Sequence, residues 1–199
     1  MLTPNKITIG RIILSLIIFL LAILYCSPNM PHNKFYKYII LFGSIAIMIS
    51  DFLDGYIARK YNMISNFGKI TDPIADKIFI LVSLIIFANI KINSTTNVIL
   101  SNWIIFIIVL RDIIITLLRV HSITLNKIII SADKLGKIKT FIQMMTIMFG
   151  FIIWTEILDI TKNVAIIWNI NIWILIIVTV VSGVSYIINY IQMNNKLTN

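Results

Sequence analysis

Cysteine is almost missing from this chain: Cys26 is the only one among 199 residues. A single cysteine excludes an intrachain disulfide, a paired-cysteine zinc site and a CxxC redox centre. Charge is also scarce, at 13% of residues, and acid is scarcer than base, with eight Asp and Glu against 17 Lys and Arg and a formal net charge of +9. In a soluble protein that balance would raise nucleic acid as a partner. Here 59% of residues are hydrophobic and the bases flank long apolar runs. The implied partners are therefore the lipid bilayer, anionic headgroups and phosphate-bearing substrates, with no nucleic acid.

At about 20 apolar residues per crossing, the chain has room for roughly six spans. It reads as a single all-α integral membrane domain over 1–199 with six transmembrane helices. A short interfacial segment (LTPNKI) leads into helix one, about 8–25. Helix two is expected over 34–62, helix three over 68–90 and helix four over 98–120. Residues 121–140 form a basic, partly amphipathic connector, helix five follows to about 157, and helix six covers 164–191 before a polar tail. Lys6 and Arg11 ahead of an apolar run look like a secretion signal. Tyr25 stands where a lipoprotein signal needs a small residue, and no A-x-A follows, so the segment reads as a retained helix.

Orientation follows from base placement. With the N-terminus inside, thirteen bases lie on the cytoplasmic side, Lys134, Lys137 and Lys139 among them, and only Lys34, Lys37, Lys91 and Lys162 lie outside. Both termini are then cytoplasmic. Trp103, Trp154, Trp168 and Trp173 fit an aromatic belt at the span ends, Met144, Met145 and Met148 fit helix packing, and His32 and His121 are isolated.

Against this background, four of the eight acids fall in one stretch, DFLDGYIARKYNMISNFGKITDPIAD, from Asp51 to Asp76. An ionised carboxylate at membrane depth costs roughly 2.5 to 3.5 kcal/mol on insertion scales, so such groups line a cavity, a metal site or an ion path. On a helix Asp51, Asp54, Gly55 and Ala58 share one face, and Gly68, Asp72 and Asp76 share a face of the next. Four converging carboxylates need cations to remain ionised. All-oxygen ligands suit Mg²⁺ first and Mn²⁺ or Ca²⁺ next, and four carboxylates are enough for two ions. Gly55, Ala58 and Gly68 either clear space for a ligand or mark a close helix crossing. Arg59 either meets a phosphate or obeys the positive-inside rule.

The spacing Asp51-x2-Asp54-Gly55-x2-Ala58-Arg59-x8-Gly68-x3-Asp72-x3-Asp76 resembles the signature of the CDP-alcohol phosphotransferase family at every position. That resemblance implies a six-helix membrane enzyme, a homodimer, that moves a phosphatidyl group from CDP-diacylglycerol to an alcohol and releases CMP. By the same resemblance Asp51, Asp54 and Asp72 are metal ligands, and Asp76 is the general base that also touches a metal. Asp54, Gly55, Ala58, Arg59 and Gly68 then border the cytidine diphosphate. Thr8 either offers a hydroxyl to the nucleotide phosphates or, like Asn5, caps the first helix.

A second set of residues bears on the acceptor. Arg111 and Arg119 lie eight residues apart in helix four, and SADKLGKIKT holds Lys134, Lys137 and Lys139 around Gly136. Lys134 and Lys139 read as orientation-setting bases. Arg111, seated inside a span beside Asp112, needs an anion, and a pocket of Arg111, Arg119 and Lys137 would suit a dianionic phosphate. The opening PNKITIGRI, the acidic core and the LRD…LLR…ADKLGKIKT blocks are together similar to one bacterial branch of the family, the phosphatidylglycerophosphate synthases. That likeness covers about 4–150 and implies sn-glycerol 3-phosphate as acceptor and the bacterial inner membrane as location, with the active site facing the cytoplasm. The sequence departs from that branch at Asp112, where Glu is expected. Other readings are a cardiolipin synthase of this fold, a phosphatidylinositol phosphate synthase, or a cation-coupled transporter. The last predicts acids at the bilayer midplane in paired halves, and no second acidic cluster mirrors the first.

Overall fold

The computed structural model describes residues 4–26, 34–60, 66–89, 99–126, 134–157 and 161–198, with side chains over 8–26, 34–51, 77–89, 99–119, 121–122, 134–157 and 161–193. An apolar solvent offers backbone N–H and C=O groups no partner, so each segment must close its own hydrogen bonds. The described residues do so in six helices: α1 (Pro4–Cys26), α2 (Lys34–Lys60), α3 (Asn66–Asn89), α4 (Asn102–Asn126), α5 (Lys134–Trp154) and α6 (Lys162–Thr198). No strand occurs among them. Thr8–Cys26, Lys134–Trp154 and Lys162–Met193 are each long and apolar enough to cross a bilayer. The chain is an all-α membrane protein.

The helices fall into two units. The first comprises Met1–Leu100 and Ile147–Ile160, the second Ser101–Thr146 and Thr161–Asn199. In the first unit α1 packs along both α2 and α3. Gly43 of α2 lets Ile18 of α1 close in, since a Cβ there would stand 3.0 Å from Ile18 Cδ1. Phe87 of α3 meets Phe151 of α5 at 4.8 Å between ring centroids, and Trp154 takes the edge of Tyr25 at 5.3 Å. In the second unit α4 packs on α6 through Ile115, Leu118, Tyr186 and Tyr190. Thr146 of α5 donates to Asn171 of α6 at 2.7 Å. Buried serines inside the helices donate back to carbonyls one turn earlier: Ser15 to Arg11, Ser44 to Ile40 and Ser83 to Phe79. Such bonds satisfy a hydroxyl without a neighbouring helix.

The structure corrects several expectations. The expected interfacial segment already belongs to α1 from Pro4, and the polar tail continues α6 to Thr198. The expected connector is helical at both ends, because α4 reaches Asn126 and α5 starts at Lys134. The run LGKIKT is made largely of good helix formers, and its Lys139 finds a buried anion. Residues 127–133 lie outside the described residues. Trp154 and Trp168 are buried rather than belt residues, while Trp103 and Trp173 are exposed as expected. Met145 is exposed, and Met144 and Met148 are half-buried.

One end of the first unit is closed by an ion pair. After α5, Thr155 N–H donates to Phe151 O, Glu156 N–H donates to Ile153 O, and Glu156 adopts φ 60°. That is the left-handed helix cap that glycine usually fills, and for a residue with a Cβ it costs roughly 1 to 2 kcal/mol. Glu156 offsets the strain through its side chain. It accepts from Lys37 Nζ at 2.7 Å and lies 3.2 Å from Lys34 Nζ, while the Lys37 ammonium also sits 5.7 Å from the Trp154 ring centre. The Lys37 hydrogen bond holds the Glu156 carboxyl below its ordinary range, against the opposing effect of burial.

A depressed folded-state pKa stabilises the protein above the unfolded-state value, and the gain is lost as pH falls through the folded-state value. Glu156→Gln should therefore cost on the order of 1 kcal/mol at pH 7. Its deficit in melting temperature, followed in detergent, should shrink towards acid pH as wild-type Glu156 takes up a proton. Glu156→Gly should be the milder change because it removes the strain together with the charge. A deficit that stays constant from neutral to acid pH would mean that packing, not charge, is what Glu156 supplies.

Candidate functional site

The sequence-predicted acidic positions are carried by two helices of the first unit. α2 contains Asp51, Asp54, Gly55, Ala58 and Arg59, and α3 contains Gly68, Asp72 and Asp76. The helical spacing of both sets is therefore retained. Beyond the helical backbone, the surroundings of Asp54, Gly55, Ala58, Arg59, Gly68, Asp72 and Asp76 lie outside the described residues, so Asp51 represents the motif here.

Asp51 is held from α1. Arg11, only 3% exposed, donates through Nη1 to Asp51 Oδ1. A buried guanidinium needs an anion, and the contact ties α1 to α2 at the start of the acidic stretch. Thr8 is one turn earlier on α1 and is buried. Because α1 begins at Pro4, Thr8 stands inside the helix, which removes the capping role for it; Asn5, in the first turn, is likewise past the cap position. In the sequence Arg11 reads as a base at the head of a signal-like apolar run and as one of the bases that orient the chain. The available signal was an arginine three residues after Thr8, on the same face of an otherwise apolar helix.

A carboxylate accepts on two oxygens, so a pair with Arg11 on one leaves ligation on the other chemically compatible. Hard oxygen donors of this type fit a divalent cation. Among the described residues no three His, Cys, Asp or Glu side chains come together; the other three acids of the motif lie outside them.

The second unit brings together residues that the sequence had sorted apart. Asp112 of α4 accepts from Lys139 Nζ of α5 on both oxygens, at 2.7 and 2.9 Å. It also accepts from Arg111 Nη1 at 3.0 Å. Arg111 Nη2 donates to Ser182 Oγ of α6 at 3.0 Å, and Ser182 in turn donates to Thr179 O. One carboxylate thus joins two cations and three helices. Gly183 lets the α6 backbone approach, since a Cβ there would stand 3.3 Å from Arg111 Cγ.

This network corrects the reading of Lys139 as an orientation-setting base: it is 1% exposed and fully committed to the interior. Lys134 is exposed, as that reading requires. Arg119 and Lys137 are exposed and lie outside the network among the described residues. Of the three predicted acceptor residues, Arg111 is therefore the one that the interior holds in place. The signal for Lys139 was present but faint. Asp112 is the only acid in α4, and a carboxylate has room for a second donor beside one arginine.

Comparison with known proteins gives the family. A model of the family described as CDP-alcohol phosphatidyltransferase matches residues 1–185. A Mycoplasma genitalium protein named CDP-diacylglycerol–glycerol-3-phosphate 3-phosphatidyltransferase is 42% identical over 111 residues, covering 56% of this chain and 44% of that relative. The match thus spans less than half of the Mycoplasma protein. A Rickettsia typhi protein of the same name is 32% identical over 188 residues, covering 92% of this chain and 93% of the relative. A third, from Bacillus subtilis, is 34% identical over 149 residues, or 72% and 73% of the two chains. The family match spans the acidic motif of α2 and α3 and the Arg111 network alike, so the chain belongs to the CDP-alcohol phosphatidyltransferase family.

Proposed function

We propose that the protein transfers the phosphatidyl group of CDP-diacylglycerol to sn-glycerol 3-phosphate, giving phosphatidylglycerophosphate and CMP. The observation that carries this reading is the eight-position motif on α2 and α3 in a chain whose relatives bear that activity in their names. Support for the acceptor comes from the second unit, where Arg111 and Lys139 bring two positive charges to the single carboxylate of Asp112. An interior site with surplus positive charge suits an acceptor that itself carries a phosphate.

In this reading Asp51, Asp54 and Asp72 would hold divalent cations, two per site, with Mg²⁺ first and Mn²⁺ as a substitute, and Asp76 would also touch them. Such ions supply charge neutralisation for the pyrophosphate and for CMP as it leaves. The chain's own residues do the rest. Asp76 accepts the proton of the acceptor hydroxyl, whose oxygen forms the new bond to the phosphatidyl phosphorus while the pyrophosphate bridge breaks and CMP departs with the bonding electrons. Arg59, Gly55, Ala58, Gly68 and Thr8 line the nucleotide. Arg111, with Arg119 and Lys137, holds the acceptor phosphate. Arg11 fixes the Asp51 carboxylate, which lowers the freedom that this ligand must lose.

The full arrangement has six spans with both termini and the active site on the cytoplasmic side of the bacterial inner membrane, and two chains pair as a homodimer. Base placement supports the orientation. Family membership and the absence of a mirrored acidic cluster in the sequence both disfavour a transporter.

Purified protein supplied with CDP-diacylglycerol and Mg²⁺ should release CMP with glycerol 3-phosphate and not with phosphatidylglycerol or inositol phosphate. Release with either of the latter alone would reassign the acceptor, and no release with any acceptor would reject the enzyme reading. Asp51→Ala and Asp72→Ala should each reduce turnover on the order of 10³-fold or more. Asp76→Asn should be equally inactive yet still bind Mn²⁺, as read by electron paramagnetic resonance. Normal turnover in that variant would remove Asp76 as the base. Arg119→Ala should chiefly raise the apparent KM for glycerol 3-phosphate; an unchanged KM would place the phosphate elsewhere.

A further inference from the structure

We propose that Lys139 is a positioning residue for the acceptor site, acting through Asp112 to keep Arg111 available to an anion. The inference rests on the reading above that Arg111 meets the acceptor phosphate. Asp112 adjoins Arg111 in sequence, and without competition its two oxygens would turn to the guanidinium and neutralise it. Lys139 prevents that by taking both oxygens, at 2.7 and 2.9 Å, which leaves Arg111 a single 3.0 Å contact through Nη1. The three groups together carry one net positive charge. Water does not screen it at Lys139, whose side chain is 1% exposed.

The hydrogen bonds of Arg111 agree with this division. Nη1 is given to Asp112 and Nη2 to Ser182, whereas Nε is buried with no hydrogen-bond partner among the described residues. A guanidinium presents five donors in a rigid fork. Here one edge is tied down by the protein, and the Nε side is left for a ligand oxygen. Ser182 fixes the plane of the group, and Gly183, beside it, lets α6 come close enough for that contact. Lys139 itself is spent on Asp112, so its effect on the acceptor passes through charge and geometry rather than touch.

The test is a charge-compensation cycle. Lys139→Gln leaves Asp112 free to neutralise Arg111, and the apparent KM for glycerol 3-phosphate should rise about tenfold or more while that for CDP-diacylglycerol stays unchanged. Asp112→Asn combined with Lys139→Gln restores a single net positive charge and should return KM to within about threefold of the parent. Asp112→Asn alone should not raise it. Lys139→Arg, which keeps the charge, should resemble the parent. A KM for Lys139→Gln within about twofold of the parent would overturn the proposal, and so would a double variant no better than the single one, which would make Lys139 a brace between α4 and α5. Should Lys139→Gln fail to fold, the double variant and Asp112→Asn decide, since neither leaves a carboxylate uncompensated; a raised KM in both would overturn the proposal. Arg111→Ala separates the two levels. An unchanged acceptor KM there would remove the underlying reading, whereas a raised KM there with none in Lys139→Gln would remove only the role of Lys139.

Discussion

An ionised side chain in an apolar slab has to bring its counter-charge with it, and that requirement organises what is described of this protein. All three described acidic side chains, Asp51, Asp112 and Glu156, meet at least one cation. Each pairing joins different helices: α1 to α2 through Arg11, α4 to α5 through Lys139, and the end of α5 to α2 through Lys37. Three buried serines behave differently, since Ser15, Ser44 and Ser83 close on their own helices. Charge therefore ties particular pairs of helices together, while α1 on α3 and α4 on α6 meet without an ion pair among the described residues.

Much of this could be read in advance, and the physical reason differs from case to case. The helices were legible because uninterrupted apolar runs in a lipid solvent admit little else, and the acidic motif because carboxylates are rare and costly at such depth. Element ends were less legible. The run from Lys134 to Thr140 is polar enough to read as part of a connector, and in the structure it is helix, with Lys139 meeting Asp112 27 residues away. Arg11 and Lys139 were read only as bases, since the positive-inside rule accounts for any lysine or arginine near a span end and so hides those that turn inward. Trp154 was hidden in the same way: aromatic residues at span ends suit a belt, yet the Phe151, Tyr25 and Lys37 contacts bury this one. Nothing local in the sequence marks Glu156 as a left-handed cap, because glycine would be the expected residue there.

The two halves of the proposed chemistry are also carried differently along the chain. The residues read as holding the donor and its cations fall within the first hundred positions, and those read as meeting the acceptor fall beyond them, on α4 and α5. A motif of fixed spacing within one helical hairpin is easy to see. The charge network assembled from α4, α5 and α6 has no such spacing: Arg111 stands out in the sequence, whereas Lys139 and Ser182 become visible only when the fold has placed them. The replacement of the expected Glu by Asp at position 112 belongs to this second kind. The shorter acid still reaches Arg111 and Lys139, and it does so because the buried lysine comes to it.

The 37 residues of α6 amount to a rod about 55 Å long at 1.5 Å per residue, against a hydrocarbon core of about 30 Å. Its apolar portion, Lys162–Met193, is itself longer than that core is thick. Such a helix has surplus greasy length to slide or lean with, so α6 can stay matched to thin and thick bilayers alike by changing its tilt. Ser182 lies well inside that portion, so the contact with Arg111 need not break as the surrounding lipid changes. Surplus length in α6 is thus a margin between an interior contact and the thickness of the bilayer around it.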